Sequence, residues 1–277
     1  MRAMNIRVHS SKRGFAQMKA SFRKNWIHYL QEAFGLAIFM TSACFFSALL
    51  GGHDASFHLT IQNNALHNAV MGILMGCTAL FIFYSPFTAP SGSHINPAVT
   101  ITFLRLDKMC KWDALFYIIF QFIGGTVAVY IMAALLGNVL TATPIDSAVT
   151  LPGKMGVAAA AITEYIIAVM MMTMVLFTSE NTSLKKYTRI IAACFVCLYV
   201  IIAGPISGFG MNPARSFASA FPAHRYTAFW IYMIIPFAGM LSAAEISLFM
   251  RNRKKNVTNK NSASDSLLKK HNQNFTA

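Results

Sequence analysis

Six apolar runs, each close to the length a helix needs to cross a bilayer, constrain this chain more than any other feature. They cover residues 26–50, 65–85, 112–136, 156–178, 189–205 and 226–249, the fifth being short. A hydrocarbon layer about 30 Å thick takes about 20 residues of helix. Lipid offers no partner for a free backbone N–H or C=O, so each run is predicted to be helical. Composition agrees: 12% of the residues are charged, where a soluble domain carries about 25%.

The net charge of +14 invites a nucleic-acid reading, but its distribution excludes one. Lysine and arginine crowd into the two ends and two short loops, whereas a nucleic-acid domain needs a basic face on a soluble core. With six crossings, the N-tail, the C-tail, the loop with Arg105, Lys108 and Lys111, and the loop with Lys185, Lys186 and Arg189 all fall on one side. The other side has only Lys154 and Arg225 outside the segment containing Arg215. The positive-inside rule then predicts cytoplasmic termini. The basic start followed by an apolar run resembles a signal peptide. However, residues 26–50 are too long for one and carry Glu32, so they read as a retained first helix. The expected organisation is a basic N-tail over 1–25, a membrane domain over 26–250 and a basic C-tail over 251–277. A bacterial inner membrane is the expected location.

Two moderately apolar segments, SGSHINPAVTITFL (91–104) and SGFGMNPARSFASAF (207–221), are broken by proline and glycine and cannot span alone. They belong to a duplication. Glu32 on the first helix precedes one, and Glu164 on the fourth helix precedes the other, so each half reads helix, helix, broken segment, helix. The repeats cover about 26–136 and 156–249. Three crossings per half is an odd number, so the second copy is inverted, an arrangement that brings broken segments together at mid-membrane.

Asparagine is a strong helix N-cap and proline suits the first helical position. Asn96-Pro97-Ala98 and Asn212-Pro213-Ala214 are therefore each predicted to start a short helix, with alanine permitting close approach. Each helix start carries roughly half a positive charge, and two of them facing a narrow passage oppose cations. The asparagine amides can donate to a passing oxygen. Glu32 and Glu164 are the natural acceptors for the N–H groups of the irregular loops, which are tolerated at membrane depth only in protein or along a cavity. The rival role is a proton relay. Arg215, on the first turn after Asn212, is costly in a membrane and so points to function. His94 is expected on the pore side or bracing its loop.

These residues, SGSHINPAVT and GMNPARS above all, resemble the major intrinsic protein (aquaporin) family over about 26–249. The resemblance implies an all-α fold of six transmembrane helices plus two re-entrant half-helices in an inverted repeat, a homotetramer, and one pore per subunit. It also implies a four-residue filter: Arg215, Phe209, Val200 on helix five, and either Met75 or Gly76 on helix two. Water-selective relatives usually have histidine at the Val200 position, and glycerol facilitators typically have aspartate where Ser216 stands, so filter and flank disagree about solute. Gly72 with Gly76 and Ala133 with Gly137 have a spacing that allows close helix packing.

Other constellations carry less. The cysteines (Cys44, Cys77, Cys110, Cys194, Cys197) are odd in number, lack metal-ligand spacing and read as small buried hydrophobes. His53, His58 and His67 read as loop histidines. No nucleotide loop, catalytic triad, metal site or cofactor motif is present in the sequence. The expected function is a passive channel for water and small uncharged solutes. A wider glycerol, metalloid or ammonia facilitator and a proton-coupled transporter are the alternatives. Water, small neutral solutes and the lipid bilayer are the expected partners, with no cofactor and no enzymatic activity.

Overall fold

A computed structural model describes the backbone of residues 2–51, 59, 61 and 63–273, with side chains described between residues 14 and 253 of that set. His53, His58 and the ends of both tails lie outside the described side chains. Among the described residues the regular elements are all helical. They are α1 (Arg2–Gly51), α2 (Asn64–Tyr84), α3 (Pro97–Arg105), α4 (Lys111–Leu136), α5 (Asn138–Thr141), α6 (Gly156–Glu180), α7 (Thr188–Ile202), α8 (Gly204–Ser207), α9 (Pro213–Ala223) and α10 (Phe229–Gln273), with three single 3-10 turns.

Parts of α1, α2, α4, α6 and α10 are long and apolar enough to cross a membrane. The remaining span, α7, fifth in chain order, has 15 residues, or about 22 Å of rise. It is continued by the turn α8, so residues 188–207 reach about 30 Å. The caps explain several starts. Asn63 Oδ1 accepts from Ala65 N and Leu66 N at 2.9 and 3.1 Å to open α2. Asp113 lies in the first turn of α4, where the helix dipole favours an anion.

The two halves interlock. α1 packs on α4 and α6 on α10, α2 meets α7 between the halves, and each short helix lies against the last helix of the other half, α3 on α10 and α9 on α4. Matched glycines permit the closest approaches. A Cβ on Gly124 of α4 would collide with the Ala33 backbone of α1. On Gly239 of α10 it would lie 2.7 Å from Ala168 Cβ and 2.8 Å from Tyr165 O of α6. Gly72 and Gly76 do the same for α2 against α7: their Cβ atoms would meet Ile201 Cγ1 at 2.5 Å and Cys197 Cβ at 2.7 Å. The Ala133–Gly137 spacing is not a packing contact. Gly137 ends α4 at φ 54°, and nothing lies within 4 Å of where its Cβ would be.

The helices α1 and α10 extend beyond both ends of the membrane domain expected over 26–250. Neither glycine nor proline interrupts residues 15–34 or 240–273, so α1 and α10 run through both positions. Ser21 Oγ, Asn25 Nδ2 and Tyr29 OH all donate to Asp113 Oδ1, at 2.5, 3.0 and 2.5 Å, and tie the start of α1 to the start of α4. The cysteines, expected to be buried, are not uniformly so: Cys44 is, but Cys77 on α2, Cys194 on α7 and Cys110, the N-cap of α4, are exposed.

Candidate functional site

The two Asn-Pro-Ala triplets form the centre of the molecule. Ala98 and Ala214 are fully buried, and Pro97 and Pro213 open α3 and α9 at the first helical position. Asn96 Oδ1 accepts from Ala98 N at 2.9 Å. Asn212 Oδ1 accepts from Ala214 N and Arg215 N at 3.1 and 3.2 Å. Each asparagine also crosses to the other segment: Asn96 Nδ2 donates to Met211 O at 2.9 Å, and Asn212 Nδ2 to Ile95 O at 2.6 Å. The helix starts are thus capped and joined at one place, with one N–H of each amide left over.

The loops before them repeat the same backbone. Gly92 and Gly208 lie at φ 93° and 79°, Ser93 and Phe209 at 50° and 51°, Ile95 and Met211 at 41° and 41°. Positive φ at an isoleucine is rare and strained, so something must hold it. Glu32, fully buried, accepts from Ser91 Oγ (2.6 Å), His94 N (2.9 Å), Ile95 N (2.6 Å) and Gln121 Nε2 (2.8 Å). Glu164, equally buried, accepts from Ser207 Oγ (2.7 Å), Gly210 N (2.8 Å) and Met211 N (2.5 Å). Tyr117 and Tyr232 complete the match by donating to Ser91 O and Ser207 O at 2.8 and 2.7 Å. N–H and C=O of a trans peptide point in opposite directions. With the N–H groups turned to the glutamates, the carbonyls of Ser93, His94, Phe209 and Gly210 face the other way, and all four residues line a cavity.

That cavity, about 270 Å³, runs from Arg215 past both asparagines to Thr188 and Arg189. A second cavity of about 120 Å³ lies at the opposite end and is lined by Met71, Met75, Val200, Gly208 and Arg215, among others. The two abut at Phe39, Phe209 and Arg215, which line both. The four filter candidates Arg215, Phe209, Val200 and Met75 therefore meet on the smaller cavity. Gly76 does not join them, because it faces Cys197 across the α2–α7 contact. Arg215 carries a guanidinium nitrogen, Nη1, that is buried with no hydrogen-bond partner among the described residues. His94 lines the larger cavity, stacked on Phe103 (centroids 4.7 Å apart) with Nδ1 3.2 Å from Thr100 Oγ1. His67 sits on the first turns of α2, beside Asn68.

Sequence reasoning missed Phe39. It follows Glu32 by seven residues, and Met171, also a cavity residue, follows Glu164 by seven. Two helical turns bring a side chain back to the same face, so the spacing was a usable signal. Gln121 joins α4 to α1 through its hydrogen bond to the Glu32 carboxylate.

The family model for the major intrinsic protein matches residues 18–246. The chain belongs to that family. Among its relatives in the family are "Aquaporin NIP1-2" of Arabidopsis thaliana, 32% identical over 185 residues, which covers 65% of this chain and 62% of that one. A "Probable aquaporin NIP-type" of Nicotiana alata is 34% identical over 167 residues, 60% of each chain. The chain thus spans about 60% of the length of these two curated relatives. Of solved structures, the aquaglyceroporin from Plasmodium falciparum superposes with a TM-score of 0.68 at 17% identity, over 79% of this chain and 93% of that one, a likeness of fold. This family member is an integral, multi-pass membrane protein. These two curated relatives are plant proteins, so they lend no support to a bacterial inner membrane.

Proposed function

We propose that the chain is a passive channel for water and small uncharged solutes. The carrying observation is the pair of capped helix starts meeting at Asn96 and Asn212 on the wall of a cavity that continues past Arg215 to the opposite face. Two positive helix ends at one point, with Arg215 beyond them, oppose cations. The spare amide N–H groups and the row of loop carbonyls give a passing water donors and acceptors in fixed places. A water oriented by the asparagines does not relay a proton along the row.

Arg215, Phe209, Val200 and Met75 act as the filter. Its walls are apolar apart from the guanidinium, and valine removes the bulk and polarity that histidine supplies in water-selective relatives. This specific feature favours a second reading, passage of glycerol-sized neutral solutes in addition to water. Glu32 and Glu164 hold the strained loops. Their oxygens are occupied by four and three donors and both are fully buried, which supports bracing over proton coupling. Both termini are cytoplasmic: Arg105 pairs with Glu245 at 2.7 Å, and Lys108 and Arg251 both pair with Glu180, gathering the basic loops and the C-terminal helix at one end. The working assembly is a homotetramer with one pore per subunit, and no enzymatic step is involved.

The test is osmotic. Proteoliposomes challenged with sucrose shrink faster than bare liposomes if the pore conducts water. Re-swelling in glycerol distinguishes the wider filter. A shrinkage rate equal to that of bare lipid overturns the reading.

A further inference from the structure

Two arginines, not one, stand on the permeation path. Of the side chains lining the two cavities, only Arg215 and Arg189 carry a permanent charge. They lie at opposite ends of the larger cavity with Asn96 and Asn212 between them. Nearby, Arg105 pairs with Glu245, and Lys108 and Arg251 share Glu180, while Lys185 and Lys186 of the same loop line neither cavity. Arg189 has no carboxylate within ion-pair reach among the described residues. Its guanidinium lies 5.6 Å from the centre of the Tyr84 ring, and its Nη2 makes one long contact, 3.5 Å, to Ala89 O in the turn leading to the first half-helix. Beside it the Thr188 hydroxyl is buried without a partner among the described residues. The mouth is otherwise narrowed by apolar side chains such as Phe83 and Phe103.

We propose that Arg189 is a second specificity-determining residue: a fixed cation at the inner mouth that repels cations before they reach the asparagines, so that the channel carries two charge barriers in series. The proposal rests on the channel reading above. A low-dielectric cleft lined by one sign of charge focuses its field and shifts local ion concentration by roughly tenfold or more. Removing either barrier therefore leaves the other in place. The ring of Tyr84 and the Ala89 carbonyl hold the guanidinium at the rim, where it repels cations and leaves neutral solutes to pass.

The experiment compares the unaltered chain with Arg189→Gln, Arg189→Lys, Arg215→Val and the double variant Arg189→Gln/Arg215→Val in proteoliposomes. Water flux and sodium leak are measured together at low and high ionic strength. Expected are an undiminished water rate in Arg189→Gln, a sodium leak several-fold above the parent at low salt that shrinks at high salt, restoration by Arg189→Lys, and a leak in the double variant above that of either single variant. A bracing role alone would show no salt dependence and no rescue by lysine. If the parent conducts water and Arg189→Gln leaks no more sodium than the parent, with the double variant equal to Arg215→Val, this inference fails and the channel reading stands. A parent without water flux overturns both.

Discussion

Asn96 donates its side-chain amide to the carbonyl of Met211, the residue before Asn212, and Asn212 donates its own to the carbonyl of Ile95, the residue before Asn96, at 2.9 and 2.6 Å. The exchange locks the two helix starts together, while each side-chain oxygen caps its own helix. Asn96→Ala removes a cap, worth about 0.5–2 kcal/mol, and a hydrogen bond worth about 1 kcal/mol. Asn96→Asp keeps the cap oxygen, loses the bond to Met211 and places a negative charge where two positive helix ends meet. Thermal unfolding in detergent is expected to rank parent, then Asp, then Ala. Cation leak is expected to be greatest in Asp. Equal stability of the two variants would argue against the cap.

Arg215 has one buried guanidinium nitrogen, Nη1, without a partner among the described residues. Arg215→Val is expected to fold, to conduct water, and to leak cations or bulky solutes more than the parent. Selectivity identical to the parent's in flux assays would remove Arg215 from the filter.

The two glutamates are matched in place but not in their surroundings. Gln121 donates to Glu32 while its own carbonyl oxygen lies buried without a partner among the described residues. In Glu32→Gln one loop N–H, that of Ile95 or His94, loses its acceptor, but the Gln121 oxygen can turn to accept from the new amide. Glu164 is held by Ser207 and the two loop N–H groups alone. Glu164→Gln therefore leaves buried donors unmatched, at about 1–3 kcal/mol each. Denaturation is expected to show the larger loss at Glu164. Solute flux in both variants should stay independent of a proton gradient. A gradient-driven flux abolished by either substitution would instead support the coupled transporter.

Met75 and Gly76 are neighbours with opposite duties. Met75→Ala is expected to speed glycerol relative to water with a modest stability loss, since the side chain lines the smaller cavity. Gly76→Ala puts a methyl 2.7 Å from Cys197 Cβ and is expected to cost about 1–3 kcal/mol by overpacking, with no gain in glycerol rate. Swelling assays and thermal melts on the pair check both. A faster glycerol rate in Gly76→Ala would reverse the assignment.

The spans, the inverted duplication and both half-helix starts were legible because each rests on a local rule: length of apolar run, cap residue, proline at the first turn. The Glu32 and Glu164 contacts were legible because a buried carboxylate beside an irregular loop has few other uses. What was not legible depends on rotation about a helix axis. Met75 and Gly76 could not be separated without knowing which face of α2 meets α7. Phe39 was overlooked because an aromatic residue in an apolar run looks like core. The length of α1 beyond its apolar run was not legible from composition: no glycine or proline stops it near residue 25, and Asp113 anchors it.

Simultaneous recording of osmotic water flux and proton flux through the reconstituted protein tests the central claim most directly. Two opposed helix starts on one passage predict water flux well above bare lipid with proton flux at the bare-lipid level. Proton flux that rises in step with water, or water flux no faster than lipid alone, would contradict the account.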